Sequence, residues 1–169
     1  MAKAYLLTGL SGSGKTTIAY GIFKKFNQDI PVLILDGDEI RSSLNIDLGF
    51  SEADRLENIR RCGEIAKIAT RQGLTVLLAL IAPYEDGRQL LHSILGDSLK
   101  IIYIECPLTE CKKRDPKGNY KKAQMGELKN YTGIDDRYEI PKNYLLKLDT
   151  YKLTVEEATD ICSTFILKN

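Results

Sequence analysis

Residues 9–16 read GLSGSGKT, the spacing G-x-x-x-x-G-K-[ST]. They stand between the apolar run AYLLTGL at 4–10 and a segment, TTIAYGIFKKF, that continues as a helix. A strand before and a helix after are the context in which this pattern reads as a phosphate-binding loop. Gly9, Gly12 and Gly14 allow a tight turn whose backbone N–H groups face phosphates, and the helix N-terminus adds positive potential. Ser11, Ser13 and Thr17 complete the loop and the start of its helix. In this reading Lys15 reaches the β- and γ-phosphates of ATP, and the Thr16 hydroxyl ligates Mg²⁺.

Outward from the loop, further short apolar runs recur: PVLIL at 31–35, TVLLALI at 75–81, KIIYIEC at 100–106 and YLLKL at 144–148. Near-continuous apolar runs of this length suit strands buried on both faces. Segments of helical spacing lie between them. One starts at Ser51, with Asp54 three positions on as in a capping box, and places Leu56, Ile59, Ile65 and Ile68 on one face. Another runs from Thr154 to about Ile166. The alternation predicts an α/β fold, a parallel sheet with helices on both faces, which binds ligands at the carboxyl ends of its strands.

The stretch ILDGDEIRSSL, 34–44, ends the second predicted strand with two acids. Asp36 emerges close to a phosphate held by the loop, where an acid can orient Mg²⁺ or accept the proton of an attacking hydroxyl. Asp38 shares that work or caps a helix over EIRSSL. From Arg114 to Asn143, apolar periodicity fades and Lys, Asp, Gly, Asn and Pro are frequent. So long a loop is uncommon in a compact domain unless it is functional, and a mobile lid over about 114–143 is expected.

Bulk properties narrow the rest. A chain of 169 residues, 43% of them hydrophobic, is enough for one domain with a substantial core. The net charge of +1, with basic residues spread along the chain, argues against general nucleic-acid binding. No segment approaches a membrane span and the N-terminus carries no cleavable pattern, so a cytoplasmic location is expected. Cys62, Cys106, Cys111 and Cys162 form no C-x-x-C pair and read as buried small hydrophobes. His92, the only histidine, reads as a surface or boundary residue of a helix.

GLSGSGKTT, LDGDEIR, DLGFSEADRLENIRR, RDPKGNYKKA and YTGIDDRYEIP stand in the order and at the spacings of adenylyl-sulfate kinases. The chain resembles that family over nearly its whole length. The resemblance implies a P-loop nucleoside-monophosphate-kinase-like fold, usually in a homodimer, in which ATP phosphorylates the ribose 3′-hydroxyl of adenylyl sulfate. The products are 3′-phosphoadenylyl sulfate and ADP. It also implies roles. Asp36 and Asp38 match the acidic pair near the ribose hydroxyl and metal, with Asp36 the base. Arg41, Arg55 and Asn58 match residues that hold the acceptor nucleotide, and Phe50 and Tyr131 the aromatic pair that sandwiches its base. Ile81, Ala82, Pro83 and Tyr84, with Thr132, Gly133 and Ile134, fall on the acceptor side. In the lid, Arg114 matches a residue near the ATP adenine, and Lys121 and Lys122 match residues near the phosphates.

Two positions depart from the family pattern. Ala82 stands where a serine commonly precedes the Pro-Tyr/Phe pair, and NYTG replaces the usual NFTG. Both lie on the acceptor side, so a kinase of the same fold acting on another nucleotide conjugate, such as cytidine diphosphoramidate in capsule modification, is a rival reading. A non-catalytic nucleotide switch is another, although the acceptor residues would have no work in it.

Overall fold

The computed structural model describes residues 2–26 and 29–169. Strand β1 (Ala4–Thr8) is buried at every position because its two faces enter two different cores. Ala4 and Leu6 pack with Ile59, Cys62, Ala66, Leu91 and Leu95, whereas Tyr5 and Leu7 pack with Ile18, Ile22, Ala158, Cys162 and Ile166. The first set draws on helices α3 (Glu52–Arg71) and α4 (Glu85–Leu95), the second on α1 (Lys15–Phe26) and α7 (Val155–Lys168). A strand covered on both faces has no solvent side on which to place polar residues, which explains the unbroken apolar runs.

The other strands are β2 (Val32–Asp36), β3 (Thr75–Ala79), β4 (Leu99–Glu105) and β5 (Leu146–Asp149). All pair in parallel, in the order β2-β3-β1-β4-β5. Each of the five apolar runs is therefore a strand, and the α/β layering expected from their alternation with helices is present. Being parallel, the strands deliver their carboxyl ends to one edge of the sheet. Asp36 pairs in register with Ala79, and Thr8 with Tyr103, so the phosphate loop and the acidic stretch leave the sheet at the same edge.

Helix starts follow local chemistry. At α7, Thr154 Oγ1 accepts from the Glu157 N–H (3.2 Å) while Glu157 accepts from the Thr154 N–H (2.8 Å), a complete capping box. At α3, Ser51 accepts from the Asp54 N–H, but its hydroxyl donates to the Asp54 carboxylate (2.6 Å), so only half the box forms. The expected apolar face of α3 needs correction. Ile68 is exposed, and the buried stripe runs through Arg55, Asn58, Ile59, Cys62, Gly63, Ala66 and Ala69. Small residues win there because α4 lies close: a Cβ on Gly63 would meet Leu91 and Ile94 at 3.0 Å.

Among the described residues, three short α-helices, α2 (Gly37–Ser42), α5 (Leu108–Arg114) and α6 (Asn119–Gln124), and a 3-10 turn at Gly96–Ser98 complete the elements. The stretch expected to be a lid is not uniformly loose. Tyr138 bonds the Thr8 hydroxyl (3.0 Å), the Glu139 N–H donates to the Pro83 carbonyl (2.8 Å), and Tyr131 and Ile134 pack on Cys106, Cys111 and Tyr120. Its apolar residues, three tyrosines among them, stand at irregular spacing, which periodicity does not register. The four cysteines are free and buried, and burial pushes Cys62 up to about 11 and Cys162 up to about 12. His92 is an exposed residue of α4. No helix of the described residues is long and apolar enough to cross a membrane.

Candidate active site

The turn from β1 into α1 is closed by the Ser13 N–H donating to the Leu10 carbonyl (3.2 Å). Gly12 and Gly14 have φ of 77° and 100°, the left-handed region that glycine enters without a steric penalty. Gly9 and Ser13 belong to the motif but stand behind the turn. Gly9 packs against the Ile104 carbonyl, and the Ser13 carbonyl accepts from Thr150 Oγ1 (2.8 Å). Ser11, Gly12, Gly14, Lys15, Thr16 and Thr17 line the cleft in front; Gly9 and Ser13, expected at the nucleotide, do not.

Lys15 is 8% exposed and donates to the Leu10 carbonyl (2.7 Å). Burial lowers its pKa to about 8, against the smaller opposing pull of Asp38 and Asp36. A bound polyphosphate reverses that balance, since a close opposite charge favours the ammonium. ATP binding at pH 8 is therefore expected to take up about half a proton, and at pH 6, where Lys15 is already charged, about none. Calorimetry in buffers of differing ionisation enthalpy reads this uptake directly; equal values at the two pH values would refute the assignment.

Asp36 is buried and does two jobs. One carboxylate oxygen accepts from the Thr16 hydroxyl (2.6 Å), and the other from the N–H groups of Asp38 (2.9 Å) and Glu39 (3.4 Å), capping α2. The cap expected of Asp38 thus belongs to Asp36, because the helix begins at Gly37, two residues earlier than EIRSSL suggests. Released from that role, Asp38 keeps an exposed side chain that pairs with the Lys117 ammonium across the mouth of the cleft.

The cleft has a volume of about 800 Å³. On the side away from the loop it is walled by Arg41, Phe50, Arg55, Asn58, Ile81, Ala82 and Pro83. Arg55 is buried, donating to the carbonyls of Phe50 (3.1 Å) and Asn130 (2.5 Å) and lying 3.6 Å from Asp136. Asn58, one helical turn on, accepts from Asn45 through its carbonyl oxygen (2.9 Å), so its N–H₂ is left to donate. The Arg41 guanidinium covers the Phe50 ring at 4.8 Å, and burial together with Arg55 lowers the Arg41 pKa.

Several expected residues lie elsewhere. Tyr131 is not among the walls of the cleft: its ring packs edge-on against Tyr120, with centroids 5.1 Å apart. Tyr84 turns away from the cleft to donate to Asp136 (2.7 Å), and Thr132, Gly133 and Ile134 are likewise not among its walls. Tyr84 and Thr132 are buried in this packed corner, and Tyr131, Gly133 and Ile134 are half-buried. Lys121 and Lys122 are exposed on the outer side of α6, whose inner side is Tyr120 and Ala123. The lysine that reaches the cleft is Lys117, thrown forward by the Asp115–Gly118 turn with Gly118 at φ 67°.

Arg114 does line the cleft, donating to the Thr150 carbonyl (2.8 Å). Thr150, Leu153, Thr154, Val155 and Ala158 line the same cleft, which sequence reasoning missed. The one signal available was Val155, an apolar residue placed outward directly after a helix cap and 58% exposed. A phosphate loop, a buried acid bonded to its threonine and an arginine-rich wall thus share one cleft, the parts of a two-substrate phosphotransferase.

Comparison with known proteins agrees with this geometry. The sequence profile of the family described as adenylylsulphate kinase matches residues 1–149. An adenylyl-sulfate kinase of Bacillus velezensis is 49% identical over 162 residues, covering 95% of this chain and 82% of that protein. One from Geotalea uraniireducens is 47% identical over 161 residues, covering 94% and 77%. The Mycobacterium tuberculosis APS kinase CysC, solved in complex with AMPPNP and APS, superposes with a TM-score of 0.93 at 38% identity, over 99% of this chain and 98% of that one. By fold, site and sequence, this chain belongs to the adenylyl-sulfate kinase family of P-loop phosphotransferases.

Proposed function

We propose that the chain transfers the γ-phosphoryl group of ATP to the ribose 3′-hydroxyl of adenylyl sulfate. The observation that carries this reading is the continuity of the cleft: the phosphate loop, Asp36 and the wall of Arg41, Phe50, Arg55 and Asn58 bound one space. Two nucleotides entering from opposite ends would meet between Lys15 and Asp36. Guanidinium groups suit the anionic phosphate–sulfate linkage, and the face of Phe50 offers a stacking surface for a base once Arg41 turns to the anion. The departures from the family pattern weigh little against it. Tyr131 is packed away from the cleft, and Ala82 leaves only a methyl group at its wall.

Thr16 Oγ1 and the Asp36 carboxylate, 2.6 Å apart, are two hard oxygen donors at the phosphate loop, so the residues present fit Mg²⁺ and would hold it. An ion held there with ATP would supply neutralisation of phosphate charge. Lys15 offsets further charge on the transferring group. Asp36 accepts the proton of the 3′-hydroxyl as that oxygen attacks in line. The covering element lies within the stretch 114–143, with Lys117 as the lid's cation; its closure excludes water that would otherwise compete for the phosphoryl group.

The test is kcat/KM with ATP and Mg²⁺ on adenylyl sulfate and on cytidine diphosphoramidate side by side. A preference for adenylyl sulfate of about 100-fold or more is expected. Equal or reversed preference overturns the acceptor while leaving the phosphate loop and Asp36 in their roles.

A further inference from the structure

Behind the acceptor wall lies Arg88 of α4, 1% exposed and the largest fully buried side chain among the described residues. Its guanidinium donates to the Ala82 carbonyl (2.7 Å) and to the Glu139 carbonyl (2.8 Å), and through Nη2 and Nε to a single carboxylate oxygen of Glu85 (2.7 and 3.0 Å). Ala82 has φ of 43°, one of two non-glycine residues in the left-handed region among those described. A side-chain-bearing residue stays there only when its surroundings over-determine it. Here they do. Three successive carbonyls of the wall are tied from behind: Ile81 by the Thr8 hydroxyl (2.5 Å), Ala82 by Arg88, and Pro83 by the Glu139 N–H (2.8 Å). All three donors also tie the wall to the segment that carries Tyr138 and Glu139, Thr8 through the Tyr138 hydroxyl (3.0 Å), Glu139 by its own N–H and Arg88 through the Glu139 carbonyl, and of the three Arg88 is the one that holds the strained Ala82.

We propose that Arg88 is a positioning residue for the acceptor site, holding the strained Ala82 backbone so that the Ile81–Pro83 wall keeps the shape that receives the acceptor nucleotide. Arg88 does not line the cleft and touches no reacting atom. A buried arginine that merely stabilised the fold would have no reason to direct a donor at the one strained carbonyl of the cleft wall. Glycine, which takes positive φ freely, provides the discriminating test.

The variant is Arg88→Met with Glu85→Gln, which keeps the volume and leaves no unpaired carboxylate; to it is added Ala82→Gly. The acceptor chosen, adenylyl sulfate, rests on the function proposed above. Removing the clamp is expected to raise the acceptor KM about tenfold while the ATP Kd stays within about twofold. Ala82→Gly in the same background is expected to recover about half of that loss on a logarithmic scale, because the backbone no longer needs forcing. Hydrogen exchange of the amides of residues 80–82 and 84 is read in parallel, faster in the clamp variant and slower again once Ala82→Gly is added. This arm needs no acceptor and decides the proposal even if wild-type enzyme does not turn over adenylyl sulfate. Loss of ATP and acceptor binding together with a falling Tm, or no recovery on adding Ala82→Gly, would overturn it.

Discussion

Asp36→Asn is expected to lower kcat about 10³-fold, roughly 4 kcal/mol of barrier, with affinity for ATP in the absence of Mg²⁺ held within about threefold. The structure makes this substitution unusually clean. Asparagine retains a carbonyl oxygen to cap the N–H groups of Asp38 and Glu39, and it is as good an N-cap as aspartate. What disappears is the second oxygen, the one that now accepts from Thr16 and that the proposed reaction needs both for the cation and for the hydroxyl proton. An amide nitrogen in its place has no lone pair for either task. Tm is expected to move by no more than about 3 °C, so lost turnover will not be lost fold. Single-turnover kinetics separate transfer from product release. A variant that transfers at the wild-type rate would remove Asp36 from the chemistry and direct attention to Asp38, the other acid at the cleft.

Lys117→Ala is expected to reduce kcat/KM about 100-fold, whereas Lys121→Ala and Lys122→Ala each stay within about threefold. The lysine doublet is the conspicuous feature of RDPKGNYKKA, but in this structure neither lysine lines the cleft. Successive residues of a helix cannot both face a ligand when its inner side is already Tyr120 and Ala123. Lys117 lies in a turn instead, between a proline and a glycine in the left-handed region, and its ammonium pairs with Asp38 at the cleft mouth. That pair is half-exposed and worth little as a stabilising contact, so it yields readily to a phosphate. Steady-state kinetics on the three single variants decide the matter. Equal losses at Lys117 and at the doublet would mean that the lid reorganises on closing far more than its packing suggests.

The contrast between these residues marks how far the sequence reaches. The order of strands and helices, the parallel sheet and the phosphate loop were legible because each is written in contiguous residues: period, glycine spacing, caps. Arg55 and Asn58 came from the family resemblance, and one helical turn does carry both to one wall of the cleft. Asp36 was readable as a strand-end acid. Its capping of α2 was not, because the helix starts at a glycine, which propensity argues against.

Competitions between burial and access, and meetings across long separations, were settled only in three dimensions. Tyr84, Tyr131, Thr132 and Ile134 carry suitable chemistry, yet the corner they share with Asp136 and Tyr120 gains more from packing them than from presenting them. Thr150 meets Ser13 across 137 positions, and Arg88 reaches Glu139 across 51. No local pattern encodes such pairs, because the free energy that selects them comes from filling and satisfying a shared interior. Contiguous residues alone were enough to specify a parallel α/β phosphotransferase with a loop for ATP and an acid beside it. Which side chains stand at the cleft, and which are consumed in building it, followed from packing.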